Sequence, residues 1–88
     1  MMFIILAYDV RQKRQNKTRK ICKKYLYYIQ KSVYEGYLTE KQLFRLKCEL
    51  SDVIDPDEDS LCIYKIPYYR NVRKEELGFS TMNDMEVL

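Results

Sequence analysis

The chain alternates between short apolar runs and longer stretches with helical spacing, and this pattern predicts alternating strands and helices. Residues 3–10 are rich in β-branched and aromatic side chains, which predicts a buried first strand. Residues 32–38 and 60–66 have a similar character and predict two further strands. Gly78 and Phe79 begin a last extended segment, which we expect to form another strand.

Residues 13–29 predict the first helix. Ile21, Tyr25 and Tyr28 are separated by four and three positions, so they would share one side of a helix. The basic residues of this stretch would occupy its first half and its outer side.

Residues 40–54 predict the second helix, because their leucines recur at helical spacing. Thr39 precedes this stretch and Gln42 follows Thr39 by three positions, which is the pattern of a capping box. The acidic residues 55–59 include Pro56 and predict the turn that ends the helix.

Two helices and four or five strands in 88 residues match an α+β fold of the ferredoxin-like type, βαββαβ, with an antiparallel sheet and both helices on one face. The 88 residues would form a single domain, residues 1–88. The other sheet face would carry some of the nine Tyr and three Phe. An apolar face on so small a chain is expected to meet a second copy, which predicts a homodimer. We expect residues 77–88 to pair with the partner subunit, since edge strands seek pairing.

Composition excludes several kinds of site. The chain has no His, which removes His-activated nucleophiles and His metal ligands. The three Cys are widely spaced and never form a CxxC pair, so we expect reduced thiols in a cytoplasmic protein, without zinc. Their apolar neighbours indicate small core residues. No apolar run approaches the roughly 20 residues of a membrane span, so no membrane association is expected.

Charge is distributed unevenly along the chain. Residues 1–31 contain nine Lys or Arg and one acid, Asp9, while residues 32–88 contain seven Lys or Arg and twelve acids. Eight of the basic residues lie within residues 11–24. Such a run can be a solvated helix face or a phosphate-binding surface. Cations near a helix N-terminus oppose the helix dipole, which favours a bound polyanion. The candidate nucleic-acid contacts are Arg11, Arg14, Lys17, Arg19 and Lys20.

Asp9 is the candidate catalytic and metal-binding residue, because it lies where the apolar strand ends and the basic stretch begins. A turn or capping aspartate is the alternative. One carboxylate cannot hold a metal firmly. A two-fold axis near the strand end would bring two copies of Asp9 together, and a cation between them would relieve their repulsion. Mg²⁺ favours carboxylate oxygens, and its bound water could attack a phosphodiester. Tyr8 is a second catalytic candidate, with a half-buried packing tyrosine as the alternative.

The order of several motifs resembles a known family. The strand ends in Tyr8-Asp9-Val10, a basic helix follows, and Gln30-Lys31-Ser32-Val33-Tyr34-Glu35-Gly36 comes next. The third predicted strand then follows, with Asp59-Ser60-Leu61-Cys62-Ile63-Tyr64 at its start. Over about residues 2–80 this is similar to the small CRISPR-associated endoribonuclease family, the second of the two core adaptation proteins. Tyr34 stands where many members have Phe.

The resemblance implies a ferredoxin-like homodimer in which the two first-strand aspartates, here Asp9, flank a shared Mg²⁺ or Mn²⁺ site. It implies endonuclease activity on single-stranded RNA or double-stranded DNA. It also implies a second role, in which the homodimer lies between copies of the larger CRISPR adaptation integrase. Nuclease activity would not be needed for that role. Two hypotheses therefore remain: a metal-dependent nuclease, and a non-catalytic nucleic-acid-binding scaffold in which Asp9 is structural.

Overall fold

The structure is a computed structural model, and it describes residues 1–67. The elements follow in the order β1 (Met2–Asp9), α1 (Gln12–Tyr25), β2 (Tyr27–Gln30), β3 (Val33–Leu38), α2 (Glu40–Ser51) and β4 (Ser60–Ile66). The strands form one antiparallel sheet in the order β2-β3-β1-β4. The predicted α+β fold is thereby confirmed. The extended segment predicted near Gly78, and its pairing with a partner, lie outside the described residues.

The end of the predicted first helix is a strand instead. Helix α1 stops at Tyr25, and Leu26 is extended, with φ −131° and ψ 171°. The following strand β2 pairs with β3. Its aromatic residues pack well on a sheet, and the ring of Tyr28 meets that of Tyr34 edge-on at 5.4 Å. The prediction of a helix over residues 13–29 was wrong at its end, because these apolar positions fit both a helix and a strand.

The hydrophobic core lies between the sheet and the two helices. Strands β1 and β3 contribute alternate side chains to it, and the helices contribute the residues that face the sheet. Helix α2 begins with the predicted capping box. The backbone N–H of Gln42 donates to the Thr39 hydroxyl at 3.1 Å, and the N–H of Thr39 donates to the Gln42 side chain at 2.9 Å.

The opposite sheet face carries a second set of side chains, which we call the open sheet face. Strand pairing aligns Ile5 of β1 with Tyr64 of β4, and Phe3 with Tyr37 of β3. Tyr37 is 46% exposed and Tyr64 is 57% exposed. The described members of this face are Phe3, Ile5, Ala7, Asp9, Tyr27, Val33, Glu35, Tyr37, Ser60, Cys62, Tyr64 and Ile66.

The three cysteines are free thiols, as expected. Cys22 is buried in the core, and burial raises the pKa of its thiol to about 12. Cys48 and Cys62 are exposed, so the expectation that all three are core residues was wrong for these two. Within residues 1–67, no helix has the length and apolar character needed to cross a membrane.

Candidate nucleic-acid and metal site

Asp9 lies at the exposed end of β1 and belongs to the open sheet face. Its partner in the strand register is Ser60, the first residue of β4. The carboxylate of Asp9 makes no hydrogen bond or ion pair with the other described residues, so its oxygens are available to a ligand. Among residues 1–67, no group of three acidic or cysteine side chains is placed to hold a metal ion. The oxygen donors of Asp9 and Ser60 are chemically suited to Mg²⁺, but they are too few to hold the ion by themselves.

Tyr8 points to the helix side of the sheet, away from Asp9. Its ring stacks on that of Tyr34 with the centroids 6.1 Å apart and the planes 20° from parallel. Burial raises the pKa of both phenols. The Tyr34 hydroxyl is buried and lacks a partner with hydrogen-bond geometry in the described part of the chain. The structure therefore gives Tyr8 a packing position and does not bring its side chain together with that of Asp9.

Arg14 is held by the acidic turn that precedes β4. Its guanidinium donates to both carboxylate oxygens of Asp59, at 2.6 and 3.0 Å, and to Glu58 at 2.8 Å. These contacts hold the pKa of Asp59 well below its usual range and raise the pKa of Arg14. The Arg14 side chain is only 16% exposed. Of the predicted phosphate contacts, it is the one whose guanidinium is already ion-paired with carboxylates of the protein.

The other predicted contacts are exposed. Lys17 and Lys20 lie on the side of α1 opposite the buried Thr18 and Cys22, and Arg19 lies beside them. Arg19 donates to the side chain of Asn16 at 3.1 Å, and Arg11 is exposed at the start of the helix. We call the exposed lysines spaced three and four positions apart the basic stripe, which consists of Lys13, Lys17, Lys20 and Lys24.

Two features of the site were not predicted. Lys13 and Lys24 belong to the basic stripe, and their helical spacing from Lys17 and Lys20 could have identified them. The sequence placed Asp59 only in a turn, but its carboxylate accepts a hydrogen bond from the backbone N–H of Arg11 at 2.9 Å. Helix α1 has no acidic residue in its first turn and no capping side chain of its own. Asp59 supplies the negative charge that the start of this helix favours.

Comparison with known proteins identifies the family. Residues 2–73 match the family described as CRISPR-associated protein Cas2. The chain belongs to the Cas2 family. It is 45% identical over 78 residues to the CRISPR-associated endoribonuclease Cas2 3 of Thermodesulfovibrio yellowstonii, covering 89% of each chain. It is 38% identical to the CRISPR-associated endoribonuclease Cas2 of Thermococcus kodakarensis, covering 97% of this chain and 96% of the relative.

Solved Cas2 structures agree with the fold. One crystal structure of Cas2 is 38% identical in sequence and superposes with a TM-score of 0.78, over 88% of this chain and 86% of the other. Streptococcus pyogenes Cas2 at pH 6.5 is 30% identical, with a TM-score of 0.73, over 89% of this chain and 100% of the other. The family resemblance noted in the sequence is therefore confirmed.

Proposed function

We propose that this protein is a metal-dependent endoribonuclease of CRISPR adaptation that acts as a homodimer, with Asp9 of each subunit as a metal ligand. The observation that carries the proposal is the exposed carboxylate of Asp9 at the end of the open sheet face, which has no hydrogen bond or ion pair with the other described residues. The relatives named as endoribonucleases support the reaction class. The free cysteines support a cytoplasmic location.

The open sheet face supports the homodimer. Its exposed apolar side chains, such as Tyr37 and Tyr64, would lose contact with water if two copies met face to face. Asp9 lies at one end of this same face. A dimer with its two-fold axis near that end would bring the two Asp9 carboxylates close together and complete a donor set that one subunit lacks.

Mg²⁺ or Mn²⁺ is the proposed metal. When bound, such an ion supplies an activated water and stabilises the negative charge that develops on phosphate. Asp9 of each subunit would hold it, with the Ser60 hydroxyl within the same strand register. Lys13, Lys17 and Lys20 of the basic stripe, together with Arg19, would hold the phosphates of RNA or DNA, with Arg11 at the start of the helix; Lys24 is already ion-paired with Glu49 of α2.

The test is a nuclease assay of the wild-type protein and Asp9→Asn with Mg²⁺ or EDTA, on single-stranded RNA and on duplex DNA. Cleavage should require the metal and should be lost in Asp9→Asn, while RNA binding and dimerisation persist. Asp52→Asn is the matched control, because Asp52 is also an exposed aspartate but lies at the end of α2. Full cleavage by Asp9→Asn, or in EDTA, would refute the metal role.

A scaffold function is the second candidate, and the small number of acidic ligands favours it. Among residues 1–67, the open sheet face offers one carboxylate at this strand end, that of Asp9, and no group of three acidic or cysteine side chains is placed to hold a metal ion. In this case the homodimer would hold duplex DNA on its basic surface and contact the larger CRISPR adaptation integrase, with Asp9 unused. Binding of duplex DNA and integrase by a wild-type protein that cleaves neither RNA nor DNA would select this function.

A further inference from the structure

Asp59 is the one buried charged residue among residues 1–67. Its side chain has no exposed surface. The carboxylate accepts hydrogen bonds from the backbone N–H groups of Arg11 and Asp55, at 2.9 and 2.8 Å, and two from the Arg14 guanidinium. A buried charge is costly unless it is paired and hydrogen-bonded, so these contacts hold the carboxylate in one place.

These contacts lie beside the segment that carries Asp9. Arg11 follows Asp9 by two positions, and Ser60, which follows Asp59, is the register partner of Asp9. Asp59 therefore joins the start of α1 to the start of β4 directly behind Asp9. The Asp9 carboxylate itself has no hydrogen bond or ion pair with the described residues. Its position consequently depends on the backbone that Asp59 holds.

We propose that Asp59 is a positioning residue for Asp9, a role that rests on the proposed function of Asp9 as a metal ligand. Functional groups need to be held within about 0.5 Å of their working geometry by supporting contacts. Asp59 provides that support through the backbone, since it fixes the turn between β1 and α1 against β4. Arg14 supports it in turn by neutralising the Asp59 carboxylate.

The experiment compares Asp59→Asn with the wild-type protein, in the full chain and at a temperature at which circular dichroism shows both to be folded. Two readouts are used: kcat and KM for cleavage of single-stranded RNA with Mg²⁺, and binding of Mn²⁺ followed by loss of its free-ion electron paramagnetic resonance signal. Residues that support a metal ligand typically change metal affinity or activity by about 10–100-fold. We expect kcat to fall by about tenfold or more and Mn²⁺ to bind more weakly, with KM within about twofold.

Glu58→Gln is the matched control, because it removes the exposed partner of Arg14 and leaves the Asp59 contacts in place. It should leave kcat, KM and Mn²⁺ binding within about twofold of the wild type. A folded Asp59→Asn protein with wild-type kcat and Mn²⁺ affinity would overturn the proposal, as would an effect on KM alone. If Asp59→Asn does not fold, Arg14→Gln replaces it. That variant removes two of the four hydrogen bonds to the carboxylate, and an unchanged kcat would equally overturn the proposal.

Failure of the proposed function gives a different result. Asp9→Asn would then bind Mn²⁺ and cleave RNA as the wild type does, whatever Asp59→Asn does. If Asp9→Asn abolishes both properties and Asp59→Asn changes neither, Asp9 is a ligand and the positioning role of Asp59 is refuted.

Discussion

The phenol rings of Tyr8 and Tyr34 stack at 6.1 Å between sheet and helix, yet their hydroxyl groups do not form a hydrogen bond of good geometry. Tyr34 is fully buried, so its hydroxyl has lost water, and its interaction with the Tyr8 hydroxyl falls short of hydrogen-bond geometry. An unsatisfied buried polar group of this kind costs about 1–3 kcal/mol. The ring of Tyr34 contributes to packing, whereas its hydroxyl group destabilises the folded state.

Tyr34→Phe should therefore raise the free energy of unfolding by about 1 kcal/mol, because it removes the unsatisfied oxygen and retains the ring. Chemical denaturation at neutral pH measures the change. Tyr25→Phe is the matched control, since the Tyr25 hydroxyl donates to Glu49 across the two helices. That variant should be less stable than the wild type. If Tyr34→Phe is also less stable, the Tyr34 hydroxyl has a partner.

Tyr64→Arg should convert the proposed homodimer to monomer, because it places a charge on the apolar part of the open sheet face. Tyr64 is 57% exposed in the single chain and lies opposite Ile5 in the sheet. Light scattering at micromolar concentration measures the mass. Phe44→Arg is the control, as Phe44 is 67% exposed but lies on α2, on the other side of the molecule. A Tyr64→Arg protein that remains dimeric would place the interface elsewhere.

The double variant Lys17→Glu/Lys20→Glu should weaken RNA binding for all sequences alike, because the contacts proposed for the basic stripe are with phosphate and not with bases. The slope of log affinity against log salt is negative, and each lost phosphate contact makes it shallower by about 0.7 for single strands. The slope should therefore become shallower by about 1.4 in the double variant. Fluorescence anisotropy over a salt series gives both values. Lys65→Glu is the control, since Lys65 is exposed on β4 and lies outside the stripe. An unchanged slope in the double variant would exclude the stripe from the binding surface.

The ion pair between Arg14 and Asp59 should make stability depend on pH only in acid. The folded pKa of Asp59 is lowered below its unfolded value, which is about 3.9 for a free aspartate. Its contribution is therefore fully present above about pH 4 and is lost as the pH falls through the lower folded pKa. Unfolding by urea at several pH values should show wild type and Asp59→Asn converging only below about pH 4. A gap between them that stays constant down to pH 2 would contradict this pKa shift.

The elements that depend on neighbouring residues were predictable from the sequence. Strand β4 has the predicted limits, and Thr39 and Gln42 form the predicted capping box, because three residues of chain bring these groups together. Asp9 could be identified as the candidate metal-binding residue because it is the only acid where the first strand ends and the basic run starts. Alternation along a strand is likewise a local property, and it places Tyr8 and Asp9 on opposite faces of the sheet.

Only the tertiary structure decided the features that depend on distant partners. Residues 27–30 became a strand because β3 was beside them, although their spacing also fitted a helix. Arg14 differs from its basic neighbours because Asp59, 45 positions away, lies within reach of its guanidinium. Local sequence determines backbone preference and charge. Tertiary contacts decide that the buried carboxylate of Asp59 is neutralised by Arg14, while other basic side chains of α1 stay exposed to solvent. These contacts form when the sheet brings the start of β4 beside the end of β1.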